Sequence, residues 1–110
     1  MADTKKNASV KRTKRVRDCK QAKDFIKDWE SLERSGKHDM HVLKEAMLLL
    51  IANDTPLPPE WKDHKLNGDY DGVRECHIKG DLLLMYRLYD NGKVELITFM
   101  RAGTHSELFK

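Results

Sequence analysis

Residues 72–100 read GVRECHIKGDLLLMYRLYDNGKVELITFM, and their spacing decides the fold. Three apolar-rich runs occupy residues 72–78, 81–89 and 93–100. Lys79-Gly80 joins the first two, and Asp90-Asn91-Gly92 joins the last two. Asn-Gly between such runs is a strong hairpin signal, because both residues tolerate positive φ. The stretch therefore predicts a three-stranded antiparallel meander. Strand alternation places Leu82, Leu84, Tyr86 and Leu88 on one face of the middle strand. On the first strand it points Val73, Glu75 and His77 one way and Arg74, Cys76 and Ile78 the other.

Upstream, the apolar period changes from two to that of a helix. Ala22, Phe25, Ile26, Trp29 and Leu32 predict a helix from Lys20 to about Arg34. Asp18 can cap its start and Gly36 stops it. Met40, Leu43, Ala46, Met47, Leu50 and Ile51 form the stripe of a second helix, from Asp39 to Asn53. A short connection makes the pair a helical hairpin, whose apolar stripes need one face of the sheet. The expected fold is α+β: a two-helix hairpin packed on one face of a small antiparallel sheet, a three-stranded meander with an N-terminal edge strand at residues 10–17 (VKRTKRVR). The other face is expected to stay open for polar side chains. Residues 55–72, TPLPPEWKDHKLNGDYDG, read as an irregular connection.

With 110 residues, the chain is long enough for one domain with a core. The reading is a basic extension over residues 1–9 and a domain over 10–110. Residues 1–23 carry nine Lys/Arg against Asp3 and Asp18, a net +7, while residues 24–110 carry −4. The basic arm can touch nucleic acid or simply be solvated. The longest apolar run, residues 47–52, is too short to cross a bilayer, so no membrane association is expected. The basic start lacks the apolar segment of a secretion signal. Cys19 and Cys76 fit no metal or redox spacing and are expected to be reduced thiols in the cytoplasm.

The histidines carry the chemistry. His77 lies on the first meander strand beside Glu75, with Asp81 at the following turn. His64 sits in the irregular connection, and His105 follows the last strand. An antiparallel meander brings the ends of its first and third strands together, so His77 and His105 can converge, with His64 folding over. Histidine exchanges protons near neutral pH. Taken singly, each has an ordinary reading: an exposed loop histidine, a surface Glu75–His77 pair, a Phe109 that plugs the sheet edge, arginines on a solvated face.

Three segments together, LPPEWKDHKLNG, GVRECHIKGDLLLMYRL and RAGTHSELF, resemble the YafQ branch of the RelE/ParE toxin superfamily. The resemblance spans roughly residues 20–109. It implies a cytoplasmic bacterial toxin of a type II toxin–antitoxin system: a ribosome-dependent endoribonuclease that cuts mRNA in the A site. It implies a cognate antitoxin as partner, with the toxin a monomer when free and a hetero-oligomer when neutralised. By residue, it implies catalytic roles for His64, His77, Asp81 and His105. Phe109 matches the terminal aromatic that holds substrate. Two positions depart from the pattern. Glu75 stands where the branch usually has aspartate, and Leu82 where it usually has tryptophan, which removes an expected stacking surface.

RNA cleavage by the 2′-hydroxyl needs a base, an acid for the 5′-oxygen and a cation for the phosphate; it needs no metal or cofactor. Histidine suits the first two tasks. The expected assignment makes His105 the acid and His64 or His77 the base, with Asp81 or Glu75 orienting an imidazole. Arg87 and Arg101 would neutralise phosphate, with Lys62, Lys65 and Arg74 adding RNA contacts. The alternatives are a non-enzymatic toxin of the ParE kind, a zinc site on the three histidines, and an RNA-binding module without catalysis.

Overall fold

A computed structural model describes residues 16–53 and 57–109. Strand β1 (Asp18–Gln21) leads into helices α1 (Lys23–Ser35) and α2 (Met40–Ala52). A short strand β2 (His64–Lys65) precedes the meander β3 (Arg74–Lys79), β4 (Leu82–Asp90) and β5 (Glu95–Thr104), and a one-turn helix α3 (His105–Leu108) follows. The five strands form one sheet in the order β1-β5-β4-β3-β2. β1 runs parallel to β5, and the other neighbours are antiparallel.

The meander and both long helices stand where the pattern places them. Gly36 ends α1 in the left-handed region at φ 66°. Asp39 caps α2 by accepting from the His41 N–H, and Asn53 closes it. Phe25 and Leu32 from α1 and Leu43, Ala46 and Leu50 from α2 pack on Cys76, Ile78, Leu82, Leu84, Tyr86, Ile97 and Phe99 of the sheet. The Phe25 and Phe99 rings sit 5.7 Å apart. Asp28 adds a polar latch: its carboxylate accepts from Arg101 Nε at 2.7 Å and from the Ala102 N–H at 3.0 Å. That bond satisfies the β5 edge just beyond the last β1 pair, Gln21 with Phe99.

Several expectations need correction. Residues 1–9, read as an extension, and residues 10–15 of the expected edge strand lie outside the described residues. Val16 and Arg17 are not in a strand; the edge strand is Asp18–Gln21. Its DCKQ sequence is exposed throughout and carries no alternation. Backbone pairing to β5 forms it, and this consumes Asp18, so α1 starts at Lys23 with Ala22 rather than Asp18 in the cap position. The connection before the meander is not wholly irregular: His64 and Lys65 pair with Glu75 and Arg74, flanked by 3₁₀ turns at Pro59–Trp61 and Gly68–Tyr70. Leu88 lies beyond the helices and is exposed. The second sheet face is not fully open either. Val73, Leu83, Met85 and Leu108 form a smaller core there, with Leu66, Met100 and Phe109 against it.

Phe99 is fully buried at the centre of the helix-side core. Phe99→Ala should lower the unfolding free energy by about 3–5 kcal/mol. A urea titration that finds less than about 1 kcal/mol would contradict this packing.

Candidate active site

The alternation of β3 separates core from chemistry. Cys76 and Ile78 enter the helix-side core, whereas Val73 belongs to the second core. Glu75 and His77 share the face of Val73. β2 sets His64 directly opposite Glu75. The His64 Nε2 lies 3.3 Å from Glu75 Oε2, and its Nδ1 lies 2.5 Å from the Lys62 carbonyl oxygen. Lys62 adopts a left-handed backbone, φ 49°, which turns the chain just before the histidine. A ring that donates from Nδ1 to that carbonyl turns Nε2 toward the carboxylate. Glu75 is only 5% exposed, and its Oε1 is buried without a hydrogen-bond partner in the described structure. His77 stands beside this pair, its ring centroid 6.1 Å from that of His64.

The second part of the site comes from the C-terminus. Thr104 and Glu107 form a reciprocal capping box that starts α3 at His105. Leu108 then folds onto Gly103, where a Cβ would meet Leu108 Cδ2 at 3.2 Å and Glu107 Oε1 at 3.1 Å. Glycine at 103 thus lets the helix lie on the sheet. His105 stacks on Phe109 with centroids 4.8 Å apart, and Tyr70 meets Phe109 edge-on at 5.3 Å. His77 pairs with Leu83, and Leu83 with Gly103. Two strand spacings, roughly 10 Å, therefore separate the backbone of His77 from that of Gly103. The structure brings His64, Glu75 and His77 together and sets His105, Phe109 and Tyr70 across an apolar floor on the same sheet face. Among the described residues no hydrogen bond joins His105 to the other two histidines.

The remaining candidates are placed differently. Asp81 is exposed at the β3–β4 turn and lines a hollow with Lys37, His38, Asp39 and Lys79, with no hydrogen bond or ion pair to a histidine in the described structure. Arg101 is held by Asp28, whose hydrogen bonds push the guanidinium pKa up. Arg74 donates to Asp63 and Tyr86. Arg87 reaches the Asp71 carbonyl at 3.4 Å and is exposed, as are Lys62 and Lys65. Leu82, the position at which a stacking surface was expected to be missing, is 1% exposed in the helix-side core and does not face the histidines. Among the described residues no group of three or more His, Cys, Asp or Glu side chains is placed to hold a metal ion. Tyr70, Asp63 and Tyr86 were not foreseen as members of the site. The Thr104-x-x-Glu107 pattern was a legible signal for α3.

A small sheet with a helical hairpin on one side and histidines on the other defines a RelE-like toxin architecture, and comparison with known proteins agrees. Residues 17–110 match the family model described as bacterial toxin of type II toxin-antitoxin system, YafQ. The chain is similar to the mRNA interferase toxin YafQ of Escherichia coli K12, with 41% identity over 93 residues, 84% of this chain and 96% of that protein. It is similar to the crystal structure of YafQ from E. coli BL21(DE3), with a TM-score of 0.77 at 39% identity, covering 86% and 99% of the two chains. It is also similar to YafQ in the E. coli DinJ-YafQ toxin-antitoxin complex, with a TM-score of 0.76 at 40% identity and the same coverage. The chain belongs to the YafQ family of type II toxins.

Beneath the site, burial pushes the Cys76 thiol pKa up to about 12. Burial, followed by the hydrogen bond to Asp63, also raises that of the Tyr86 phenol. Both groups keep their protons in the folded chain after the unfolded chain has lost them. For Cys76 the stabilisation is complete below the ordinary thiol value of 9.0 and fades as pH rises toward about 12; for Tyr86 it is complete below the ordinary phenol value of 10.0 and fades as pH rises above it. Denaturant titrations should show the unfolding free energy falling across those ranges; a flat profile would contradict the burial of both groups.

Proposed function

We propose that this chain is an endoribonuclease toxin that cuts mRNA in the ribosomal A site by attack of the 2′-hydroxyl on the adjacent phosphate. The observation that carries the reading is the placement of His64, His77 and His105 on one sheet face around an apolar floor, with His105 against the Phe109 ring. One imidazole removes the 2′-hydroxyl proton. The oxygen then attacks phosphorus, the bond to the 5′-oxygen breaks, and a second imidazole supplies the proton that oxygen needs. The products are a 2′,3′-cyclic phosphate and a 5′-hydroxyl, with no metal ion in the steps.

His105 is the acid in this scheme, because it stands at the open start of α3 next to the aromatic that would stack on a base. The base is His77 or His64. Both ring nitrogens of His64 face protein oxygens, so Glu75 and the Lys62 carbonyl orient that ring. Arg87, Lys62 and Lys65 supply positive charge for the RNA backbone. Arg74 and Arg101 hold carboxylates instead, and this gives them structural duties. Asp81, at the exposed β3–β4 turn without a bond to these histidines in the described structure, takes no step in this scheme. An mRNA substrate on the ribosome makes this a toxin of the bacterial cytoplasm in this reading; among the described residues no helix is long and apolar enough to cross a membrane.

A partner follows from the family. The E. coli YafQ structure with DinJ supports a cognate antitoxin, whose disordered segment would fold on this chain and cover the histidine face.

Inducible expression in bacteria with mapping of mRNA 5′ ends tests the reading. The wild-type chain should create new 5′ ends at codon-spaced positions. His105→Ala should lower single-turnover cleavage on programmed ribosomes by about 10²–10⁴-fold, and His77→Ala should fall in the same range if it is the base. Undiminished cleavage by His105→Ala would overturn the assignment.

A further inference from the structure

The segment that carries His64 has little backbone to hold it. β2 is two exposed residues long, with register pairs only to Glu75 and Arg74. Exposed strands with so few bonds open locally at low cost. Yet the His64 ring is set to within hydrogen-bonding distance of Lys62 and near contact with Glu75. The Leu66 N–H adds one bond to the Val73 carbonyl at 2.9 Å, and Trp61 and Leu66 pack on the two cores; none of these contacts touches the residues that set the His64 ring.

The residue just before the histidine supplies a further hold. One Asp63 carboxylate oxygen accepts from the Tyr86 hydroxyl. The other accepts from Arg74 Nη2 at 3.1 Å. Arg74 Nε closes the triangle by donating to the Tyr86 hydroxyl oxygen at 3.3 Å. Tyr86 is fully buried among the helix-side core residues, so the triangle is anchored in the main core. The side chains of Arg74 and Asp63 are themselves only 25% and 26% exposed. A satisfied polar network in such surroundings specifies one geometry.

Resting on the nuclease reading above, we infer that Asp63, Arg74 and Tyr86 form a positioning device for His64. The triangle pins Asp63 toward the helix side of the sheet. Strand alternation then delivers the next side chain, His64, to Glu75 on the opposite face. The left-handed turn at Lys62 completes the device by presenting its carbonyl to Nδ1. None of the three residues needs to touch RNA. Arg74 in particular gives Nε to Tyr86 and an Nη2 hydrogen to Asp63, which separates it from the exposed cations that attract phosphate.

Tyr86→Phe keeps the ring in the core and removes only the hydroxyl; Asp63→Asn keeps the shape and removes the charge. Each should lower kcat for cleavage of mRNA on programmed ribosomes by about 10- to 100-fold with KM little changed, as expected for a misplaced group. In a His64→Ala background neither change should cost anything further. In NMR spectra of the free chain, the ring signals of His64 should move in Tyr86→Phe while those of His105 stay in place. An equal loss of rate with and without His64, or an unmoved His64 ring, would overturn the positioning role. If the wild-type chain cleaves no RNA, the nuclease reading falls, and the ring signals alone still decide whether the triangle places His64.

Discussion

A β-strand turns successive side chains to opposite faces, and β3, β4 and β5 use that rule to divide labour. One face buries Cys76, Leu84, Tyr86, Ile97 and Phe99 under two helices. The other holds Val73, Leu83 and Met85 as the floor between the histidines. A register slip of one residue would send Glu75 and His77 into the apolar core and Cys76 and Ile78 to the surface. The large helix-side core therefore does more than stabilise the chain: it fixes which side chains are left to do chemistry.

The site is assembled by additions to the edges of this frame. β2 joins on one side and brings His64 to Glu75. α3 folds back from the end of β5 and brings His105 and Phe109. Each addition has its own fastening: the Asp63–Arg74–Tyr86 triangle for the first, the Thr104–Glu107 capping box and the side-chain-free surface of Gly103 for the second. Glutamate at 75 fits this arrangement. From a central position in β3 its oxygen comes within 3.3 Å of the His64 ring across the strand pair.

What could be read in the sequence was what repeats. The meander, both long helices and the facing of Glu75 and His77 followed from periodicity and from Asn91-Gly92. What could not be read was built by single tertiary contacts. β1 has neither alternation nor apolar residues to bury, and only the free edge of β5 makes it a strand. The valines among the basic residues 10–17 were a more conspicuous strand signal but not the described one. β2 is too short to leave a pattern. Arg74 and Arg101 look like phosphate contacts in sequence, and only the fold shows Asp63 and Asp28 occupying them. Leu82 looked like a lost stacking residue until its burial was seen.

The account turns on imidazoles that pass protons across a ribose and its phosphate. Replacing the 2′-hydroxyl at the scissile nucleotide by hydrogen, in an mRNA held on the ribosome, removes the nucleophile and nothing else. The expected result is no cleavage at that nucleotide, while the unmodified message yields a fragment ending in a 2′,3′-cyclic phosphate. Cleavage of the deoxy position at an unchanged rate would show that another nucleophile is at work and would contradict the account.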